Sequence, residues 1–210
     1  MKHIGCLIPA SNIVAERELY TRLISDNISD ICFHFARLKF HTPYGVNEEQ
    51  YTKELVESIP EALEEMKRID LHNRVVLCTS AELFSKSDSS LLFPLPAVID
   101  YLKTIKKSSP LVITPYNKTI GSAISQKLKE TNINIVKELH LDIKNKEELL
   151  CFSDTKLLNL IKNQINAQTD SICVLCTNFA TLHLEKNIES ELRLPFISSN
   201  KAIYWKVIQK

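Results

Sequence analysis

The residues best suited to covalent or proton-transfer chemistry in this sequence are two cysteines in matching settings. Cys78 lies in "VLCTS" (76–80) and Cys176 in "VLCTN" (174–178). A thiol acts as nucleophile or base only as the thiolate, and helix N-termini or adjacent hydrogen-bond donors lower the pKa that controls its ionisation. Each cysteine is followed by a polar pair, Thr79 and Ser80 in one case and Thr177 and Asn178 in the other, where a new helix is expected to begin. Unpaired backbone N–H groups at a helix start, with hydroxyl and amide groups beside them, also suit carboxylate oxygens. Two thiols on opposite sides of one small acid divide the work. One attacks carbon or removes a proton, and the other donates or removes a proton on the far face. That chemistry needs no cofactor.

Other chemistries lack their residues. With only Gly5, Gly45 and Gly121 the chain has no Gly-rich dinucleotide or P-loop fingerprint, and it has no G-x-S-x-G nucleophile elbow. His3, His34, His41, His72, His140 and His183 are scattered along the sequence. His183 is read as a helix-surface or core residue rather than a cleft residue. Glu16 and Glu18 are read as first-turn residues complementing a helix dipole, not as an acid–base pair. Cys173 and Cys176 form a C-x-x-C, but inside a strand their side chains point to opposite faces, and no second ligand pair completes a metal site. No metal is expected.

The elements that must position the thiols follow from periodicity. Short Ile/Val/Leu-rich runs mark strands at 3–8, 31–38, 74–78, 110–114, 134–138, 171–176 and 195–198. Helical periods lie between them in "NEEQYTKELVESIPEALEEMKRI", "PAVIDYLKTIKK", "NKTIGSAISQKLKETN" and "SDTKLLNLIKNQINAQ", with Pro60 and Pro96 in first turns and Ser153 as an N-cap. Alternation of this kind specifies an α/β protein with mainly parallel sheets covered by helices.

The cysteine repeat extends further. "LIPASN" (7–12) and "VITPYN" (112–117) each end a strand, and the Asn-to-Cys spacings within the halves are 66 and 59 residues. The chain therefore reads as two pseudo-symmetric lobes, 1–95 and 96–194, with segment 195–210 available to complete the first. Loops at the carboxyl ends of parallel strands face the binding crevice. Asn12, Cys78, Tyr116 and Cys176 are thus expected around one cleft. Segment 83–96, Ser- and Lys-rich and ending in "LFPLP", is either a flap over that cleft or a surface connection.

Composition narrows the setting. The 210 residues are 44% hydrophobic, enough for a packed core, and 26 basic residues balance 25 acidic ones, so nucleic acid and anionic membranes are not expected partners. "IGCLIPA" (4–10) is too short to span a bilayer and runs into "SNIVAERE" without a cleavage site, so secretion is not expected. Most of the six cysteines sit in apolar runs, consistent with reduced thiols in the cytoplasm.

The segments "GCLIPASNIVAERE" (5–18), "VVLCTSAELF" (75–84), "ITPYNKTIG" (113–121), "VLCTNFATL" (174–182) and "LPFISSNKAIYW" (194–205) together resemble the aspartate/glutamate racemase superfamily. Within it they are most similar to the maleate cis–trans isomerase and arylmalonate decarboxylase branch, and closest to maleate isomerases. The resemblance implies an active site between two lobes, Cys78 and Cys176 as the catalytic thiols, a small carboxylate substrate and a homodimer. It also implies substrate binding by Asn12 beside Ser11, a carboxylate contact from Tyr116, and oxygen-cradling roles for Thr79, Ser80, Thr177 and Asn178. Asn145, in "DIKNKEEL", matches a further binding asparagine in a looser motif. The decarboxylases lack the first cysteine, so a chain with both leans toward isomerase or racemase. One departure is "AELFSKSDSS" after Cys78, where the family often carries glycines.

The expected function is therefore cofactor-independent isomerisation of a small unsaturated dicarboxylate, with maleate to fumarate first. The alternatives are a racemase of an amino acid or hydantoin-like compound and a ligand-binding protein that has lost turnover.

Overall fold

The computed structural model describes residues 1–43, 45–86 and 88–209. The first half runs β1 (Lys2–Pro9), α1 (Ala15–Ser25), β2 (Ile31–Leu38), α2 (Glu48–Glu57), α3 (Ile59–Glu65), β3 (Asn73–Val76), β4 (Leu91–Leu92) and α4 (Pro94–Thr104). The second runs β5 (Pro110–Thr114), α5 (Lys118–Lys129), β6 (Lys137–His140), α6 (Lys146–Leu150), α7 (Asp154–Gln164), β7 (Ser171–Val174), α8 (Leu182–Leu192), β8 (Phe196–Ser198) and α9 (Ser199–Ile208).

The strands form two four-stranded parallel sheets of identical topology, β2-β1-β3-β4 and β6-β5-β7-β8. The expected α/β architecture of two pseudo-symmetric lobes flanked by helices is the one observed. Central strands of a parallel sheet are covered on both faces and so read as unbroken apolar runs. All of β5 and β7 is buried, as is β1 from Ile4 to Pro9. In each sheet the strand order reverses between the first strand and the third, and a parallel sheet opens its ligand crevice at such a point. The loops after β1 and β3, and after β5 and β7, carry the repeated motifs.

One large apolar core joins the lobes, running from Ile4, Cys6 and Ile8 through α4 and α9 to Leu111, Ile113 and Ile172. A second cluster lies on the other face of the first sheet, where Leu7, Val76 and Cys78 meet Tyr51, Leu55 and Ile59 of α2 and α3. The C-terminal segment divides. β8 adds to the second sheet, whereas α9 packs against α4 and α1. None of the helices among the described residues is long and apolar enough to cross a membrane.

Several boundaries differ from the sequence expectation. The third and seventh strands end at Val76 and Val174, two residues early, because the chain turns immediately to present each cysteine. The strand expected at 134–138 is centred further on, at Lys137–His140. The two-residue β4 pairs Arg74 with Leu91 and Val75 with Leu92, which fastens the 83–96 connection to the sheet edge. Ser153 caps α7 through its Oγ, and Pro60 lies at the start of α3, both as expected.

Helix α5, which begins directly after the Tyr116 turn, lies so close to β6 that a Cβ on Gly121 would sit 2.2 Å from His140 Nδ1. That nitrogen is hydrogen-bonded to Thr114 Oγ1 at 3.0 Å, so the ring cannot swing away without breaking the contact. Overpacking costs about 1–3 kcal/mol, against roughly 1 kcal/mol that Ala gains over Gly inside a helix. Gly121→Ala is expected to lower stability by about 2 kcal/mol net, read as a lower urea midpoint. An unchanged midpoint would contradict this packing.

Candidate active site

The two cysteine loops are built alike. Leu77 N–H donates to Leu7 O at 2.7 Å and Leu175 N–H to Ile113 O at 2.9 Å, the last ladder bonds before each turn. The turns close when Ala81 N–H reaches Cys78 O at 3.3 Å and Phe179 N–H reaches Cys176 O at 3.2 Å. Each sulfur then accepts from backbone N–H groups two and three residues later, Ser80 and Ala81 for Cys78, and Asn178 and Phe179 for Cys176. One hydroxyl completes each set. Ser80 Oγ lies 3.5 Å from Cys78 Sγ, and the Tyr116 hydroxyl bonds to Cys176.

These donors favour thiolates, but burial opposes them more strongly. Burial raises the Cys78 thiol above its usual value, with the Ser80 and Ala81 donors pulling it back. Burial pushes Cys176 up to about 12, and negative charge on Cys78 adds to that rise. Both thiols are therefore held protonated more firmly than a free cysteine, and a charge on either opposes ionisation of the other. The two thiols face a common space.

That space is a cavity of about 30 Å³ between the lobes. It is lined by Cys78 and Cys176 together with Ser11, Asn12, Ser80 and Tyr116. Thr177 and Asn178 also line it, as do Pro9 and Tyr51. None of the described lining residues carries a formal charge. The six cysteines are all free thiols, and Cys173, three residues before Cys176, is buried in the sheet core rather than in the cavity.

The lining amides are oriented by the backbone. Asn12 Oδ1 accepts from Val14 N–H at 3.0 Å and Ala15 N–H at 3.1 Å, the first turn of α1, and its Nδ2 donates to Thr177 Oγ1 at 3.1 Å. Thr177 Oγ1 donates onward to Leu77 O at 2.8 Å, so Asn12, Thr177 and the first cysteine loop form one chain across the lobes. Asn178 Oδ1 accepts from Ile13 N–H at 3.1 Å, which leaves its NH₂ as the end able to meet an acceptor.

Two sequence expectations are corrected here. Thr79 does not line the cavity. Its hydroxyl pairs with Ser199 Oγ at 2.9 Å behind the loop, because the β8–α9 junction occupies that side. Asn145 is exposed and caps α6, with Oδ1 accepting from Glu148 N–H at 2.7 Å. Neither does segment 83–96 cover the thiols, since none of its described residues is among those lining the cavity; Ser87 lies outside the described residues.

The wall that sequence reasoning missed comes from α2. Tyr51 OH bonds to Ser11 Oγ at 3.0 Å, and Thr52 Oγ1 lies 3.1 Å from Ser80 Oγ while donating to Glu48 O at 2.7 Å. A tyrosine on the apolar face of an amphipathic helix carries no sequence signal apart from its helical phase, so it reads as core. His183 is exposed on α8 beside Asp154, matching the surface reading. Glu18 sits in the first turn of α1 but serves another helix. Its Oε1 accepts from Thr181 N–H and Leu182 N–H at the start of α8.

The arylmalonate decarboxylase family profile matches residues 89–210, more than half of the chain, including the Tyr116 and Cys176 loops. The chain belongs to the arylmalonate decarboxylase family. Relatives extend this likeness beyond the matched half. The maleate isomerase of Nocardia farcinica is 19% identical over 225 residues, spanning 100% of this chain and 90% of the relative. The maleate isomerase of Pseudomonas putida, solved with maleate, superposes with a TM-score of 0.86 at 17% identity, covering 99% of this chain and 90% of that one. A variant of the Nocardia farcinica enzyme with a covalently bound succinylcysteine intermediate also superposes at 0.86, with 16% identity, covering 99% and 91%. Within the family, the Cys78 loop lies outside the profile match, so its place in the site rests on the geometry above.

Proposed function

We propose that this protein is a cofactor-independent cis–trans isomerase of a small unsaturated dicarboxylate, with maleate converted to fumarate. The observation that carries the reading is the pair of matched, buried thiols facing one cavity whose described lining residues carry no formal charge. The similarity to maleate isomerases over the whole chain, and the succinylcysteine reported for one of them, support the same chemistry.

In this reaction the Cys78 thiolate adds to one alkene carbon. The electron pair of the double bond shifts to the neighbouring carbon and its carboxylate, and Cys176 gives its proton there, leaving a succinyl thioether on Cys78. Rotation about the new single bond brings the carboxylates apart. The Cys176 thiolate takes a proton back, the carbon–sulfur bond breaks, and fumarate leaves with Cys78 again ionised. Charge and protons balance over the cycle, with each thiol acting in turn.

The neutral lining has a role in this scheme. The amide donors of Asn12 and Asn178 and the hydroxyls of Ser11 and Tyr51 bind carboxylates without holding the ground-state dianion too tightly, and they strengthen as charge builds on the adding substrate. At about 30 Å³ the cavity has room for roughly two water molecules, so a four-carbon diacid also occupies its mouth or widens it.

Two predictions follow from the protonation states. Because burial raises the Cys78 thiol above its ordinary value of 9.0, kcat/KM is expected to climb with pH throughout the neutral range without a plateau below that value. A plateau from pH 6 upward would contradict a nucleophile of raised pKa. Tyr116→Phe removes the hydroxyl bonded to Cys176. Loss of one positioned donor lowers kcat by roughly 10²- to 10³-fold, with a smaller effect on KM. An equal effect on both would assign Tyr116 to ground-state binding instead.

The function itself is tested by proton NMR of reduced protein with maleate, beside polarimetry of L-aspartate. Fumarate formation with no loss of optical rotation is expected. Racemisation without fumarate would transfer the two thiols to proton exchange at a stereocentre, and saturable maleate binding without turnover would identify a binding protein.

A further inference from the structure

At the opposite end of the first sheet, the fold brings one residue of β1 beside two of β2. In the parallel ladder His3 pairs with Cys32, and Gly5 pairs with His34. Cross-strand partners and residues two apart in a strand project from the same face, so His3, Cys32 and His34 share one face. His34 reaches across the ladder to His3, its diagonal neighbour. His34 Nε2 lies 2.9 Å from His3 Nδ1. One ligand-capable atom from each of the three residues falls within 4.8 Å of the others.

We propose that His3, Cys32 and His34 form a transition-metal site of the zinc class, separate from the thiol cavity. The donor set of two imidazoles and one thiolate selects borderline metals such as Zn²⁺ over Mg²⁺ and Ca²⁺, which require oxygen ligands. Zn–N bonds of about 2.0–2.1 Å and Zn–S of about 2.3 Å put tetrahedral ligand atoms roughly 3.3–3.6 Å apart. The two ring nitrogens need open only slightly from hydrogen-bond distance, and the sulfur needs to close by side-chain rotation. Binding displaces the thiol proton of Cys32 to solvent, and the proton shared between the rings moves to an outer ring nitrogen.

The surroundings fit such a site. All three side chains are half-buried, which shelters the ligands while leaving solvent to supply a water at the fourth position. His72 holds the first ligand from the adjoining turn. Its Nδ1 accepts from His3 N–H at 3.2 Å, and its own N–H donates to His3 O at 2.8 Å. The distance from His3 to the cavity end of β1 at Pro9 is six residues of strand, about 20 Å. An ion here would tie the starts of β1 and β2 together and would touch neither catalytic thiol.

The test is titration of the reduced full-length protein with Co²⁺, followed by the thiolate-to-cobalt charge-transfer absorption. The expected result is a band that saturates at one equivalent and is displaced by Zn²⁺. It should be lost in Cys32→Ser, weakened at least tenfold in affinity in His3→Ala and His34→Ala, and retained in Cys78→Ala and Cys176→Ala. Circular dichroism checks folding of each variant, and His34→Ala gives the same answer should Cys32→Ser fail to fold. Absence of a saturable band in the wild type overturns the site. So does a band that survives Cys32→Ser or depends on Cys78 or Cys176.

Discussion

Cys78→Ala is expected to abolish fumarate formation, with a loss on the order of 10⁴-fold or more, because in this mechanism the carbon–sulfur bond forms at Cys78 and Cys176 serves as its proton partner. Cys176→Ala is expected to lose less, on the order of 10²- to 10⁴-fold, since it removes a proton donor that water can replace poorly. The two losses will not add in the double variant. Cys176 has no adduct to protonate once Cys78 is gone, so its removal then costs little more. Both substitutions trade a buried sulfur for a methyl group, and the fold should persist. Equal, small losses in the two single variants would remove the thiols from the chemistry.

Glu18→Ala is expected to destabilise the protein by roughly 3–5 kcal/mol, because it deprives three donors of their acceptor, two of them buried, each buried donor left unpaired costing about 1–3 kcal/mol. Glu18 is 2% exposed. Its Oε1 receives Thr181 N–H at 2.7 Å and Leu182 N–H at 2.8 Å, and its Oε2 receives Asn200 Nδ2 at 2.8 Å. Helix α8 has no side-chain cap of its own, so this carboxylate from the first lobe supplies it. Asn200 also donates to Thr177 O at 3.0 Å, which carries the damage to the cavity wall. Glu18→Gln keeps the shape and one acceptor, and should recover part of the loss. Urea denaturation measures both variants, and kcat of the folded fraction should fall alongside. A midpoint unchanged by Glu18→Ala would contradict this account of how the lobes are joined.

The cavity was legible in the sequence to the extent that strand ends determine it. Asn12, Cys78, Tyr116 and Cys176 follow strands of one direction, and parallel topology sends all four to the same side. What was hidden depends on partners distant in sequence. Thr79 turns away from the cavity because Ser199, 120 residues later, meets its hydroxyl. Asn145 matched a binding position in type, but an Asn before Lys-Glu-Glu is also an N-cap sequence, and capping is the role it takes. Tyr51 shares its helix face with Leu55, and nothing local distinguishes a cavity tyrosine from a core one. Glu18 carries the dipole signature of its own helix, whereas the N-terminus it caps is 163 residues away. The grouping of His3, Cys32 and His34 needed the β1–β2 register, which periodicity alone does not supply.

The central claim, covalent addition by Cys78 with Cys176 as its proton partner, is tested most directly by trapping the adduct. Cys176→Ser would be incubated with maleate and examined by intact-mass and peptide mass spectrometry, beside the Cys78→Ala/Cys176→Ser double variant. The account predicts a mass increase of one maleic acid on the peptide containing Cys78, absent from the double variant. A folded Cys176→Ser protein that gains no mass, or gains it equally in the double variant, would contradict the account.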